Sequence, residues 1–157
     1  MKTEFWYIGK TSFPYIEEGM KLYEKRLVRY LSFQSVLVPD VKNGKKLPAD
    51  QLKIKEGEII LKKLNPSDFL VLLDERGEQL SSVAFSKFME RKLQLGNRKL
   101  IFLIGGAYGF STELHNRADQ QLSLSKMTFS HQMIRLFFLE QLFRAMSILK
   151  GEPYHNN

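Results

Sequence analysis

The sequence predicts an α/β domain in which a mostly parallel sheet carries helices on both faces. Short apolar runs alternate with amphipathic stretches along the chain, in the pattern βαβαβαβαβα. Two of these runs, 69–73 and 100–104, are apolar at every position, which is typical of strands covered on both faces of a parallel sheet. A chain of 157 residues is long enough for one good core, so we expect a single domain over 1–157.

The first half of the chain contains two strands and two helices by this reasoning. A strand over 5–8 ends at Gly9, and Pro14 begins a helix with apolar residues at helical spacing. A strand over 33–38 leads into the loop 40–48, where three lysines predict either a phosphate contact or a solvent-facing connection, and both interpretations stay open. A second helix is predicted over 49–64.

The second half continues the alternation. The strand 69–73 ends in the polar segment 74–77, and a helix capped by Ser81 or Ser82 stops at Gly96 and Asn97. The strand 100–104, a short helix near 111–117, a strand over 121–125 and a long helix of about 132–150 complete the chain.

Three predicted loops follow strands at their carboxyl ends, after Leu73, Ile104 and Ser125. Such ends lie along one edge of a parallel sheet, so these loops can surround one small molecule. The middle loop, 105–109, has glycine at three of five positions, and glycine lets a ligand approach the backbone. Its spacing fits neither a dinucleotide fingerprint nor a P-loop, and a tight turn explains isolated glycines equally well.

Composition narrows the possible partners. Lysine and arginine outnumber aspartate and glutamate by 24 to 17, which favours a polyanionic partner. There is no cysteine, and the three histidines are dispersed, so we expect no disulfide framework and no bound metal. No apolar run approaches the length of a membrane span, and a cytoplasmic location is the default expectation.

Four motifs in a fixed order carry a family resemblance. They are the runs LIGGAYGF at 103–110, LSLSKMTFSHQMIR at 122–135, EQLFRA at 140–145 and PYH at 153–155. With these motifs, the chain resembles over its whole length the RlmH family, which are SPOUT-class methyltransferases acting on N3 of a pseudouridine in large-subunit ribosomal RNA.

The resemblance implies more than spacing could show. It implies a carboxyl-terminal trefoil knot over about 100–157, an exception to the rule that chains avoid threading. It further implies S-adenosylmethionine as cofactor, 23S rRNA in the assembled ribosome as substrate, and a homodimer. Neither a membrane nor DNA is expected as a partner.

Cofactor-binding residues follow from the same resemblance. The implied pocket consists of Leu73, Gly105, Gly106, Ser125, Lys126, Met127, Thr128, Phe129 and Ser130. Ser130 stands where many relatives have proline, which loosens the backbone restriction of this loop. Asn156 stands where relatives often carry arginine or lysine, which removes one candidate phosphate contact.

The chemistry requires removal of the N3 proton of an imide, so a base or a nearby cation would assist. The catalytic candidates are His155, Tyr154 and Arg135, with His131 as a further possibility. His155 is preferred because it lies in a polar tail that can fold over a partner, whereas a structural role for His131 and Arg135 stays open. The competing hypothesis is a non-catalytic ribosome- or RNA-binding module with the same fold.

Overall fold

The alternating segments form strands and helices close to the predicted positions in the computed structural model, which describes residues 1–96 and 98–156. The strands are β1 (Lys2–Ile8), β2 (Ser32–Val38), β3 (Phe69–Gln79), β4 (Leu100–Ile104) and β5 (Gln120–Ser123). The helices are α1 (Pro14–Leu27), α2 (Ala49–Lys63), α3 (Ser82–Leu93), α4 (Thr112–Arg117) and α5 (Met133–Leu149), and a 3-10 turn covers Gly44–Lys46. The hydroxyl of Ser81 caps α3, and Asn97 of the predicted helix stop lies outside the described residues.

The strands form one parallel sheet in the order β2-β1-β4-β3-β5, which confirms the predicted fold class. Side chains alternate between two cores, so that Phe102 faces α1, α3 and α5 while its neighbour Leu103 faces α2 and α4. All of β4 is buried, as expected for a central strand of a covered sheet. Helix α5 packs against both α1 and α3.

The boundary of β3 differs from the prediction, which ended this strand at Leu73. Leu73 and Glu78 both pair with Leu122, so residues 74–77 bulge out of the ladder before the strand resumes. A side chain at Gly77 would approach the backbone of Gln121 and Leu122 to 2.7 Å, so only glycine fits this close contact. The polar composition of 74–77 predicted a loop, but these residues stay within β3 as a bulge. The return to β5 is a long-range pairing that the local pattern did not reveal.

Other boundaries differ by at most a few residues. Strand β5 ends two residues before the predicted position at Ser125, and α5 lies within the predicted helix. Among the described residues, no helix is long and apolar enough to cross a membrane. The trefoil knot and the single-domain organisation over 1–157 stay predictions.

Candidate active site

The bulge of β3 and the loops after β4 and β5 converge on one cavity of about 320 Å³. The sequence predicted this convergence at the carboxyl edge of the sheet, with a loop where the bulge lies. The reason is the strand order: these three strands are neighbours, so their carboxyl ends lie side by side at one edge of the sheet. The cavity is lined by the bulge of β3, by the ends of β4 and β5 with the segments that follow them, by one residue of α2 and by one residue of α5. Its lining consists of Lys53, Leu73, Asp74, Glu75, Arg76, Ile104, Gly105, Gly106, Ala107, Tyr108, Gly109, Phe110, Ser123, Leu124, Ser125, Met127, Thr128, Phe129, His131 and Ile134.

Most of the predicted cofactor-binding residues line this cavity. Leu73, Gly105, Gly106, Ser125, Met127, Thr128 and Phe129 are among its lining residues, whereas Lys126 and Ser130 are not. The side chain of Ser130 instead accepts a hydrogen bond from the amide of Met133, 3.0 Å away, and so satisfies a free donor in the first turn of α5. Proline has no hydroxyl, so a relative with proline at this position lacks this hydrogen bond at the start of α5.

The segment after β5 is held by one hydrogen bond within itself and one to β3. The hydroxyl of Ser125 accepts a hydrogen bond from the amide of Met127 at 3.0 Å. The hydroxyl of Thr128 donates to Glu75 at 2.8 Å, which links this loop to the bulge of β3. These contacts position the cavity wall at a place where both segments are largely exposed.

The two adjacent glycines make room for side chains inside the protein. A side chain at Gly105 would approach Phe110 to 3.0 Å, and one at Gly106 would lie 2.7 Å from the carboxylate oxygen Oε2 of Glu56. Sequence reasoning attributed these glycines to the approach of a ligand. The structure adds an internal steric reason, because both positions are filled by neighbouring side chains.

Glu56 was not identified from the sequence, although it lies directly behind the glycine loop. It belongs to α2 and is buried, and burial together with the negative charge of Asp40 raises its pKa to about 7. The cavity-lining side chain of His131 has the opposite shift, since burial and the guanidinium of Arg135 lower its pKa. The two titratable groups are therefore both biased towards their neutral forms at this edge of the sheet.

Arg135 does not line the cavity but fastens the start of α5 to the end of β1. Its side chain is 1% exposed, and its guanidinium donates to the carbonyl oxygens of Ile8 at 2.7 Å and Gly9 at 2.9 Å. Further hydrogen bonds reach the Thr11 hydroxyl at 3.1 Å and the His131 carbonyl at 3.2 Å. With its donors occupied in this way, Arg135 is placed to hold His131 at the cavity.

Tyr154 and His155 lie in a second polar cluster built on α5. The Tyr154 hydroxyl donates to Oε1 of Glu140 at 3.1 Å, and Nε of Arg144 donates to the same oxygen at 3.1 Å. Nη1 of Arg144 lies 3.0 Å from Nδ1 of His155. Burial, together with the hydrogen bond to Tyr23 and the charge of Glu140, raises the pKa of Tyr154 far above its ordinary value.

A second cavity of about 380 Å³ links this cluster to the first one. It is lined by Glu140 and shares Leu73, Ser123, Leu124 and Phe129 with the first cavity. Sequence reasoning quoted Glu140 and Arg144 in a motif but gave them no role. Their spacing of four residues on a helix, with opposite charges, was the signal that could have identified the pair.

Comparisons with known proteins agree over nearly the whole chain. A family model described as "Predicted SPOUT methyltransferase" matches residues 1–155. The "Ribosomal RNA large subunit methyltransferase H" of Christiangramia forsetii is 54% identical over 149 residues, which is 95% of this chain and 95% of that relative. The relative of the same name from Parabacteroides distasonis is 50% identical over 156 residues and covers 99% of each chain.

A solved structure supports the fold. The structure of a probable methylase family protein from Haemophilus influenzae Rd KW20 aligns with a TM-score of 0.53 at 12% identity. The alignment covers 95% of this chain and 66% of that one. At this identity the likeness concerns the fold alone.

Proposed function

Because this chain belongs to the SPOUT methyltransferase family, we propose that it transfers a methyl group from S-adenosylmethionine to large-subunit ribosomal RNA. The substrate class follows the name carried by relatives that are about half identical to this chain. The observation that carries the proposal is the convergence of the β3 bulge and the loops after β4 and β5 on one cavity at the carboxyl edge of the sheet. The acceptor that we propose is N3 of a pseudouridine in 23S rRNA, within the assembled ribosome.

The cavity fits the proposed cofactor in size and chemistry. Its volume of about 320 Å³ lies within the range of about 300–1,000 Å³ that is usual for small-molecule sites. Leu73, Leu124, Met127 and Phe129 offer apolar cover, and the backbone of the 105–109 loop supplies polar groups at the rim. The residues that would hold the cofactor are therefore these side chains, the glycine loop and the segment that begins at Ser125.

We assign the reaction to the two linked cavities. Bound S-adenosylmethionine supplies an activated methyl group, and the protein has to bring the acceptor nitrogen into line and accept its proton. The second cavity admits the acceptor base, since it adjoins the first and carries Glu140 on its wall. The Tyr154 hydroxyl is protonated at neutral pH, and its raised pKa makes it a poor proton acceptor, so it acts as a hydrogen-bond donor. His155 is the proposed proton acceptor.

Arg135 is assigned a positioning role in this proposal. Its guanidinium is engaged with the carbonyl oxygens of Ile8 and Gly9, away from the cavity lining. Arg144 is the cation that contacts the cluster of Glu140 and His155 directly. A cation near the target imide favours its deprotonated form, and Arg144 is better placed than Arg135 to supply this effect.

We further propose that the protein acts as a homodimer. Phe129 and Phe137 form a ring contact with centroids 5.1 Å apart, yet they are 38% and 39% exposed. Met127, in the same loop as Phe129, is 76% exposed. An apolar patch of this kind beside a polar cluster favours coverage by a second copy, and sedimentation at working concentration tests it: a monomer contradicts this part of the proposal.

One experiment tests the activity against the non-catalytic alternative. S-adenosylmethionine is titrated into the protein by calorimetry, and methyl transfer is then measured on naked 23S rRNA, separated subunits and whole ribosomes that lack the modification. We expect cofactor binding and transfer to a pseudouridine N3, mapped by mass spectrometry, with whole ribosomes as the preferred substrate. A variant that lacks residues 153–157 is the control, and it should bind the cofactor without transferring methyl groups. Ribosome binding without cofactor binding would establish the non-catalytic alternative instead.

A further inference from the structure

A buried carboxyl group stands immediately behind the glycine loop of the cofactor cavity. Glu56 of α2 is 8% exposed, and its oxygens Oε2 and Oε1 lie 2.7 and 3.0 Å from the position of a side-chain carbon on Gly106. Gly106 itself lines the cavity. A single residue of backbone, with no side chain, therefore separates this carboxyl group from whatever the cavity contains.

The surroundings of Glu56 control its charge. Asp40, which follows β2, adds negative charge, and together with burial it raises the pKa of Glu56 to about 7. Lys53, three residues earlier on α2, lines the cavity, as does His131 before α5, whose pKa is lowered. The charge of Asp40 also acts on Arg135 of α5, where burial lowers the pKa and this charge opposes that effect. At neutral pH the Glu56 carboxyl is thus divided between its neutral and negatively charged forms, and it ionises as the pH rises.

We propose that the carboxylate of Glu56 makes the cavity bind S-adenosylmethionine, a sulfonium cation, more tightly than its neutral thioether product, S-adenosylhomocysteine. The inference rests on the proposed function. Transfer of the methyl group leaves the sulfur with both electrons of the broken bond and removes one positive charge from the cofactor. A carboxylate behind Gly106 attracts the ligand before that step more strongly than after it, because charges interact strongly where water is partly excluded. The protein then binds its substrate cofactor and releases the product.

The test compares two ligands that share every feature except the methyl group and its charge. Calorimetry at pH 6 and pH 8 gives the dissociation constants of S-adenosylmethionine and S-adenosylhomocysteine. Comparing the change of their ratio in the wild type with the change in Glu56→Gln removes the pH dependence that comes from the amino groups of the ligands and from His131. For the wild type we expect the preference for S-adenosylmethionine to rise about fivefold between the two pH values as Glu56 ionises. For Glu56→Gln, which keeps the shape, we expect a lower ratio at pH 8 that lacks this fivefold rise.

Glu58→Gln is the matched control, because Glu58 is an exposed acid on the same helix, and it should behave like the wild type. A purely structural role of Glu56 would change both affinities equally and leave their ratio unaltered. Glu56→Ala is a second variant without the charge, and it should also lose the pH response. A wild-type ratio and pH response in these variants would overturn the inference, whereas failure of S-adenosylmethionine to bind the wild type would overturn the proposed function itself.

Discussion

Replacement of Arg135 by methionine separates a positioning role from a catalytic one. The guanidinium is 1% exposed and donates to two buried carbonyl oxygens, those of Ile8 and Gly9. A buried polar group that loses its partner costs about 1–3 kcal/mol, so two of them destabilise the protein by about 4 kcal/mol. For a domain of this size, each kcal/mol lowers the melting temperature by about 2–4 °C, which gives a loss of about 8–16 °C.

Urea and thermal unfolding measure this loss, and Arg29→Met, at an exposed position of the chain, is the control with an expected change below about 0.5 kcal/mol. Methyl transfer is measured at a temperature where Arg135→Met is still folded, and we expect the folded molecules to retain activity. A variant with the wild-type melting temperature but without methyl transfer would refute the positioning role and restore Arg135 as a catalytic candidate.

Three further predictions concern Glu56, Gly106 and Ser130. The pKa of Glu56 is raised in the folded protein, so its contribution to stability is fully present below about pH 4.5 and is lost as the pH rises through about 7. In urea titrations, the wild type should therefore lose about 3 kcal/mol of unfolding free energy relative to Glu56→Gln between pH 4 and pH 8. Gly106→Ala should cost about 1–3 kcal/mol by overpacking against Glu56, and Glu56→Ala in the same chain should recover most of it, as a double-mutant cycle will show. Ser130→Ala should cost about 1 kcal/mol in chemical unfolding, because the Met133 amide loses its partner.

Each of these expectations has a clear opposite. A parallel pH profile of wild type and Glu56→Gln would mean that the carboxyl titrates normally in the folded protein. Additive effects of the substitutions at 56 and 106 would show that the two residues do not compete for the same space. An unchanged unfolding midpoint for Ser130→Ala would show that the Ser130 hydroxyl does not stabilise the start of α5.

Local sequence patterns determined the elements of the fold because their physical cause is local. The fully apolar run at 100–104 became β4 at the predicted residues, and Pro14 begins α1 as its fixed backbone angle allows. The alternation of strands and helices likewise determined a parallel sheet, since crossover helices leave few other arrangements. The family motifs also located most of the cavity lining, although spacing alone could not name a cofactor.

Only the tertiary structure decided which strand ends are neighbours and which buried side chains contact the loops at those ends. The neighbouring positions of β4, β3 and β5 depend on long-range pairing, and so does the return of β3 to β5 after its bulge. The contact of Glu56 with Gly106 joins residues 50 positions apart, and that of Arg135 with Ile8 joins residues 127 positions apart. A lone glutamate on a helix and an arginine at a helix start resemble solvent-exposed charges in sequence. Their roles arise from burial, which raises the free energy of a charge until a specific partner or a proton offsets it.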